Sequence, residues 1–94
     1  MKINTETKLT NLEGEPIKDG SVDATVGKVI RNALLGNDQS DNADKKLKKY
    51  KLAMDCLATE VDLKAENVSL IKKCVGENYP PLIVGKVFEI IDPE

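Results

Sequence analysis

The chain contains no histidine and no tryptophan, and its 94 residues hold only two Tyr and one Phe. Without an imidazole there is no histidine-based triad, no imidazole acid–base catalyst and no mixed Cys/His zinc site. Three aromatic rings leave little for stacking on unpaired bases, which weakens any single-strand nucleic-acid reading. Charge of one sign is also missing: 14 Lys+Arg stand against 16 Asp+Glu, a formal net charge of −2. Such a balance gives no global attraction to nucleic acid or to an anionic membrane. Long apolar runs are absent too. The longest, Leu82–Gly85, is far too short for a membrane span, and the start of the chain has no apolar core of a signal peptide.

What is present is a globular composition, 40% hydrophobic and 32% charged. A chain of this size buries roughly 60–65% of its unfolded surface, a core adequate for one small domain. Residues 1–47 carry 7 basic and 8 acidic side chains, and residues 48–94 carry 7 and 8 again. No linker, repeat or low-complexity tract divides the chain, so a single domain over 1–94 is expected. Cys56 and Cys74 read as reduced core thiols, the habit of a cytoplasmic protein. A disulfide between them requires that their helix faces meet.

The chain opens with strand character, since Ile3, Thr5, Thr7 and Leu9 alternate with polar residues. Glu13-Gly14 predicts a hairpin turn, and Pro16 predicts a short returning edge strand, after which Asp19-Gly20 breaks the chain. A third strand is expected near 60–63, where Glu60-Val61-Asp62-Leu63 alternates. Four helices follow from spacing and caps. The first is capped by Thr25 and stopped by Gly36, with Val26, Val29, Ile30, Ala33 and Leu34 facing inward. The second, from about Asn42 to Ala58 with Asp41 or Ser40 as cap, places Ala43, Leu47, Tyr50, Met54 and Leu57 on one seam. That seam is expected to pack on the core. The third runs from about Ala65 to Val75, with Gly76 as its stop. The fourth starts at Tyr79-Pro80-Pro81 and is ended by Pro93. The fold class is therefore α+β: a short N-terminal β-hairpin packed with about four helices.

No nucleotide-binding, hydrolase or CxxC signature occurs, and Gly85 in Val84-Gly85-Lys86 reads as a close helix packing contact. Oxygen-bearing side chains at the alternate positions Asp38, Ser40, Asn42 and Asp44 resemble part of a calcium loop. The required glycine is replaced by Ala43 and the bidentate acid by Lys49, so no calcium site is expected. No catalytic residue, cofactor or metal is assigned.

Two surfaces remain. The fourth helix is apolar round most of its circumference, so it is either central or meets another chain. Tyr79, Leu82, Val87 and Phe88 are its candidate contact residues, and a homo-oligomer is left open. The alternative is the lysine run Lys45–Lys51, where Lys45, Lys48 and Lys49, with Arg31, are candidates for phosphate contact in nucleic acid or a nucleotide.

Several segments also carry a resemblance. They are Leu12-Glu13-Gly14-Glu15-Pro16-Ile17, Thr25-Val26-Gly27-Lys28-Val29 with Asn32-Ala33-Leu34-Leu35, Lys49-Tyr50 with Leu52-Ala53, and Leu70–Gly76 followed by Tyr79–Gly85. In that order they resemble a group of small proteins encoded in tailed-bacteriophage and prophage genomes. The resemblance implies a phage-encoded protein acting in the cytoplasm of a bacterial host, and it carries over no residue role. An aliphatic residue is expected where this chain has Cys74, which fits a packing position. The function expected is non-enzymatic: an accessory protein acting by protein–protein interaction, as an assembly factor or as an inhibitor of a host protein.

Overall fold

A computed structural model describes residues 2–36 and 39–92. Their order is β1 (Lys2–Asn4), β2 (Lys18–Asp19), β3 (Val22–Asp23), α1 (Val26–Leu34), α2 (Ala43–Asp55), β4 (Glu60–Asp62), α3 (Ala65–Asn78) and α4 (Pro81–Ile91). Among the described residues the fold is α+β, four helices with a small antiparallel N-terminal hairpin, and the helices make most of the core. Pro93 and Asp38, read above as a helix end and as part of a calcium-like loop, lie outside the described residues.

The N-terminal region forms two turns rather than one long ladder. At the first, Gly14 adopts a φ of 84°, and the Asn11 side chain accepts from the N–H groups of Glu13 and Glu15 at 3.0 and 2.9 Å. Strand pairing beside it shrinks to a single bridge between Thr10 and Pro16, because proline has no N–H to donate. The second turn, at Gly20 (φ 69°), closes the β2–β3 hairpin, with Lys18 opposite Asp23 and Asp19 opposite Val22. Positive φ at Gly20 but not at Ser21 is the pattern of a type II′ turn. The strand expected near 60–63 forms as β4, and its partner is β1: Ile3 lies opposite Val61.

Thr5 ties these pieces to the helices. Its N–H donates to the Thr59 carbonyl at 2.8 Å and its hydroxyl to the Ala58 carbonyl at 2.7 Å. Its own carbonyl accepts from the Gly27 N–H at 2.9 Å. A Cβ at Gly27 would stand 2.6 Å from the Thr5 Cβ, so this close approach of α1 requires glycine.

Helix α1 follows the expected pattern. Thr25 accepts from the Lys28 N–H at 3.3 Å, and Val26, Val29, Ile30, Ala33 and Leu34 are all buried. Gly36 is not the left-handed stop: its φ is not positive, and its N–H closes a tight turn on the Ala33 carbonyl at 3.4 Å. Helix α3 likewise passes through Gly76 and continues to Asn78. It is ended by Tyr79, held extended (φ −131°, ψ 154°) because the next residue is Pro80. Gly85 makes no close packing contact either, since a Cβ there would meet nothing within 4 Å. Pro81 opens α4, where the missing N–H is harmless.

The core gathers Ile3 and Leu9 from the N-terminal region, the inner faces of α1 and α3, Leu52, Ala53 and Cys56 from α2, and Val87 and Ile91 from α4. Helix α4 packs on α3 at one side of the molecule rather than at its centre. Lys72 joins the two, donating to Asp92 at 2.8 Å and lying over the Phe88 ring at 5.0 Å.

Candidate functional site

Helix α2 starts at Asn42, whose side chain accepts from the Lys45 N–H at 2.8 Å. Asp41, one of the two caps expected, turns inward instead and forms a buried ion pair with Lys49. That pairing sets which side of α2 meets the protein. Lys49, Leu52, Ala53 and Cys56 are buried, and the small Ala53 and Cys56 let α2 approach closely.

The seam expected in the core therefore faces solvent. Leu47, Tyr50, Met54 and Leu57, joined by Leu35 from the end of α1, are each between 51% and 66% exposed. Their spacing of 3 and 4 keeps Leu47, Tyr50 and Met54 on one stripe of α2, and Leu57, in the turn after the helix, joins Met54 in lining one groove. A groove of about 210 Å³ runs beside that stripe, walled by Leu35, Tyr50, Met54 and Leu57, with Arg31 at its edge and Ala53 in its floor. Tyr50 also borders a second groove of about 230 Å³, shared with Leu35 and Lys46. The Arg31 guanidinium is fixed there, donating to the Cys56 carbonyl at 2.7 Å at the end of α2.

Electrostatically the stripe is rimmed with positive charge. Helix α2 carries five lysines against two aspartates. Lys46 lies one turn before Tyr50 and Lys51 one turn after Leu47, so an exposed ammonium flanks each side of the stripe.

The α4 residues named from sequence do not share a comparable face. Val87 is 0% exposed and belongs to the core, so it is withdrawn as a contact residue. Tyr79 and Phe88 are half-buried against the core, and Leu82, at 37% exposed, is the outward one. The apolar circumference of α4 is used mostly in packing. The lysine-run candidates also separate. Lys45 and Lys48 are exposed, Lys49 is 6% exposed in its pair with Asp41, and Arg31 is committed to the Cys56 carbonyl.

Cys56 and Cys74 are both free and buried. Burial is the main cause pushing each thiol above its ordinary value, so both stay protonated near neutral pH. Among the described residues no cluster of three or more acidic or thiol side chains could hold a metal ion, and no helix is long and apolar enough to cross a membrane. Sequence spacing found the residues of the exposed stripe but assigned them to the wrong side. The signal for the right side was the pair of small residues Ala53 and Cys56. Leu35 had no signal, because its place depends on how α1 meets α2.

No family model matches the chain, and no curated protein or solved structure matches it either.

Proposed function

We propose that this is a non-enzymatic accessory protein that works by protein–protein contact, and that the contact surface is the outer stripe of α2 with Leu35. The observation that carries this reading is five large apolar side chains standing exposed, with Leu35, Tyr50, Met54 and Leu57 lining one groove and Leu47 one turn of α2 before Tyr50. Exposed apolar side chains scattered singly are ordinary, whereas a contiguous patch with a charged rim is characteristic of interaction sites. A non-enzymatic role is supported by the two thiols, which are enclosed and protonated and so poor nucleophiles. The resemblance to small tailed-phage proteins supplies the context: a phage- or prophage-encoded factor in a bacterial cytoplasm, aiding assembly or inhibiting a host protein.

Affinity capture from infected cells tests this, with identification of what is retained. A specific protein held by the native chain and lost on Tyr50→Glu supports the reading. The same protein kept by Tyr50→Glu but lost on Leu82→Glu moves the surface to α4. Retention of nucleic acid that falls steeply with salt and on charge reversal at Lys45 and Lys48 replaces the protein partner with a phosphate backbone.

A further inference from the structure

If the outer face of α2 is the contact surface, as proposed above, its charges narrow what can lie on it. The strip is long and narrow, with apolar residues at positions 47, 50, 54 and 57. Leu47, Tyr50 and Met54 follow the repeat presented by one helix to another, and Leu57, in the turn just past α2, extends the strip. The flanking positions next to such a core are Lys46 on one side and Lys51 on the other, and Arg31 adds a third cation along the groove. Asp44, seven residues before Lys51 and three before Leu47, stands on the same flank as Lys51 and puts one carboxylate at the N-terminal end of the rim, in the first turn of the helix.

A second copy of this chain fits that rim poorly. Parallel pairing of two α2 helices sets Lys46 of one against Lys51 of the other. Antiparallel pairing in the same layers sets Lys51 against Lys51 across the two-fold axis. Either orientation places ammonium against ammonium at the edge of an apolar seam, where like charges are destabilising. A helix whose flanks are acidic meets Lys46 and Lys51 with opposite charge, with the Arg31 guanidinium, held on the Cys56 carbonyl, adding fixed positive charge beside the groove and only Asp44 opposing it.

We infer that the outer face of α2 receives an amphipathic helix of another protein, apolar on the buried face and acidic along both flanks. Its leucine-sized side chains occupy the groove beside Leu35, and its carboxylates lie against the lysine rim. Charge of this kind selects partners and speeds encounter more than it adds affinity.

Two labelled peptides of designed heptad sequence test this. Both carry leucine at the core positions; one has glutamate at both flanks and the other lysine. The expected result is binding of the glutamate peptide at least about tenfold tighter than the lysine peptide in about 0.1 M salt, the preference shrinking in about 1 M salt as the charges are screened. The double variant Lys46→Glu/Lys51→Glu reverses the preference. Equal binding of both peptides, with chemical-shift changes still at Tyr50 and Met54, overturns the acidic-helix inference and leaves the contact surface standing. Binding of neither peptide overturns both. Self-association in sedimentation that Tyr50→Glu abolishes makes the occupant a second copy and overturns the inference. Binding to anionic phospholipid vesicles with no peptide preference overturns it in favour of a membrane surface.

Discussion

The two sides of α2 invert the usual relation between hydrophobicity and burial. The inner side holds Lys49, Leu52 and Ala53, with Cys56 capping the helix end; the outer side holds Leu47, Tyr50 and Met54, with Leu57 in the turn just beyond. By residue type the outer side is the more apolar, yet it is the one left in water. The inner side wins because its small residues permit close approach and because Asp41 accompanies Lys49 inward. Removing apolar area from water favours burial of whichever strip can be enclosed without strain, and shape decides that. An apolar strip that the fold leaves uncovered is then free to be covered by something else.

The largest expected effect lies at the ion pair. Asp41→Ala removes the buried carboxylate that faces the Lys49 ammonium and should lower stability by about 3–5 kcal/mol in denaturant unfolding. A loss below about 1 kcal/mol would mean that Lys49 simply swings out, and the inner side would not depend on the pair. Next come two leucines, one from each side. Leu52→Ala should cost about 2–5 kcal/mol by leaving a cavity, whereas Leu57→Ala should change stability by no more than about 0.5 kcal/mol. Equal losses from the two would erase the distinction between the sides.

The same distinction separates two helical glycines. Gly27 faces Thr5, so Gly27→Ala should destabilise by about 1–3 kcal/mol. Gly76 lies inside α3 and looks onto open space, so Gly76→Ala should stabilise by about 0.5–1 kcal/mol, through lower chain entropy in the unfolded state. Thermal midpoints moving in opposite directions are the readout.

The smallest effect is at the surface. Hydrogen bonds from Lys18 and then Lys8 hold the Asp23 carboxyl below its ordinary value of 3.8. A depressed folded value contributes stability above the unfolded value and loses it as pH falls through the folded one. An NMR titration should therefore place Asp23 below 3.8, and Lys18→Met should return it toward that value.

Much of this was legible in the residues, and the gaps have physical causes. Helix α1 could be read because its cap at Thr25 and its single apolar stripe point to the same face. The turn at Gly14 could be read because its conformation is local. For α2 the spacing located the helix but not its orientation, since two stripes compete and only the route of Asp41 into the interior decides between them. The β1–β4 pairing joins Ile3 to Val61, and nothing local in either segment names the other. The helix stops expected at Gly36 and Gly76 failed for a different reason. A glycine permits a left-handed turn without requiring one, whereas Pro80 forces Tyr79 out of the helix. In α4, apolar residues on nearly every side left both a central place and an interface open, because composition does not record that α3 and the core already cover most of them.

Cys56 and Leu57 are neighbours in the chain on opposite sides of the boundary, 0% and 66% exposed. Thiol labelling of a Leu57→Cys variant therefore tests the account directly. In the native state the new thiol should react quickly while Cys56 and Cys74 stay protected, and the glutamate-flanked peptide should slow it. Protection of position 57 in the free monomer, or labelling there that the peptide leaves unchanged, would contradict an open docking face on α2.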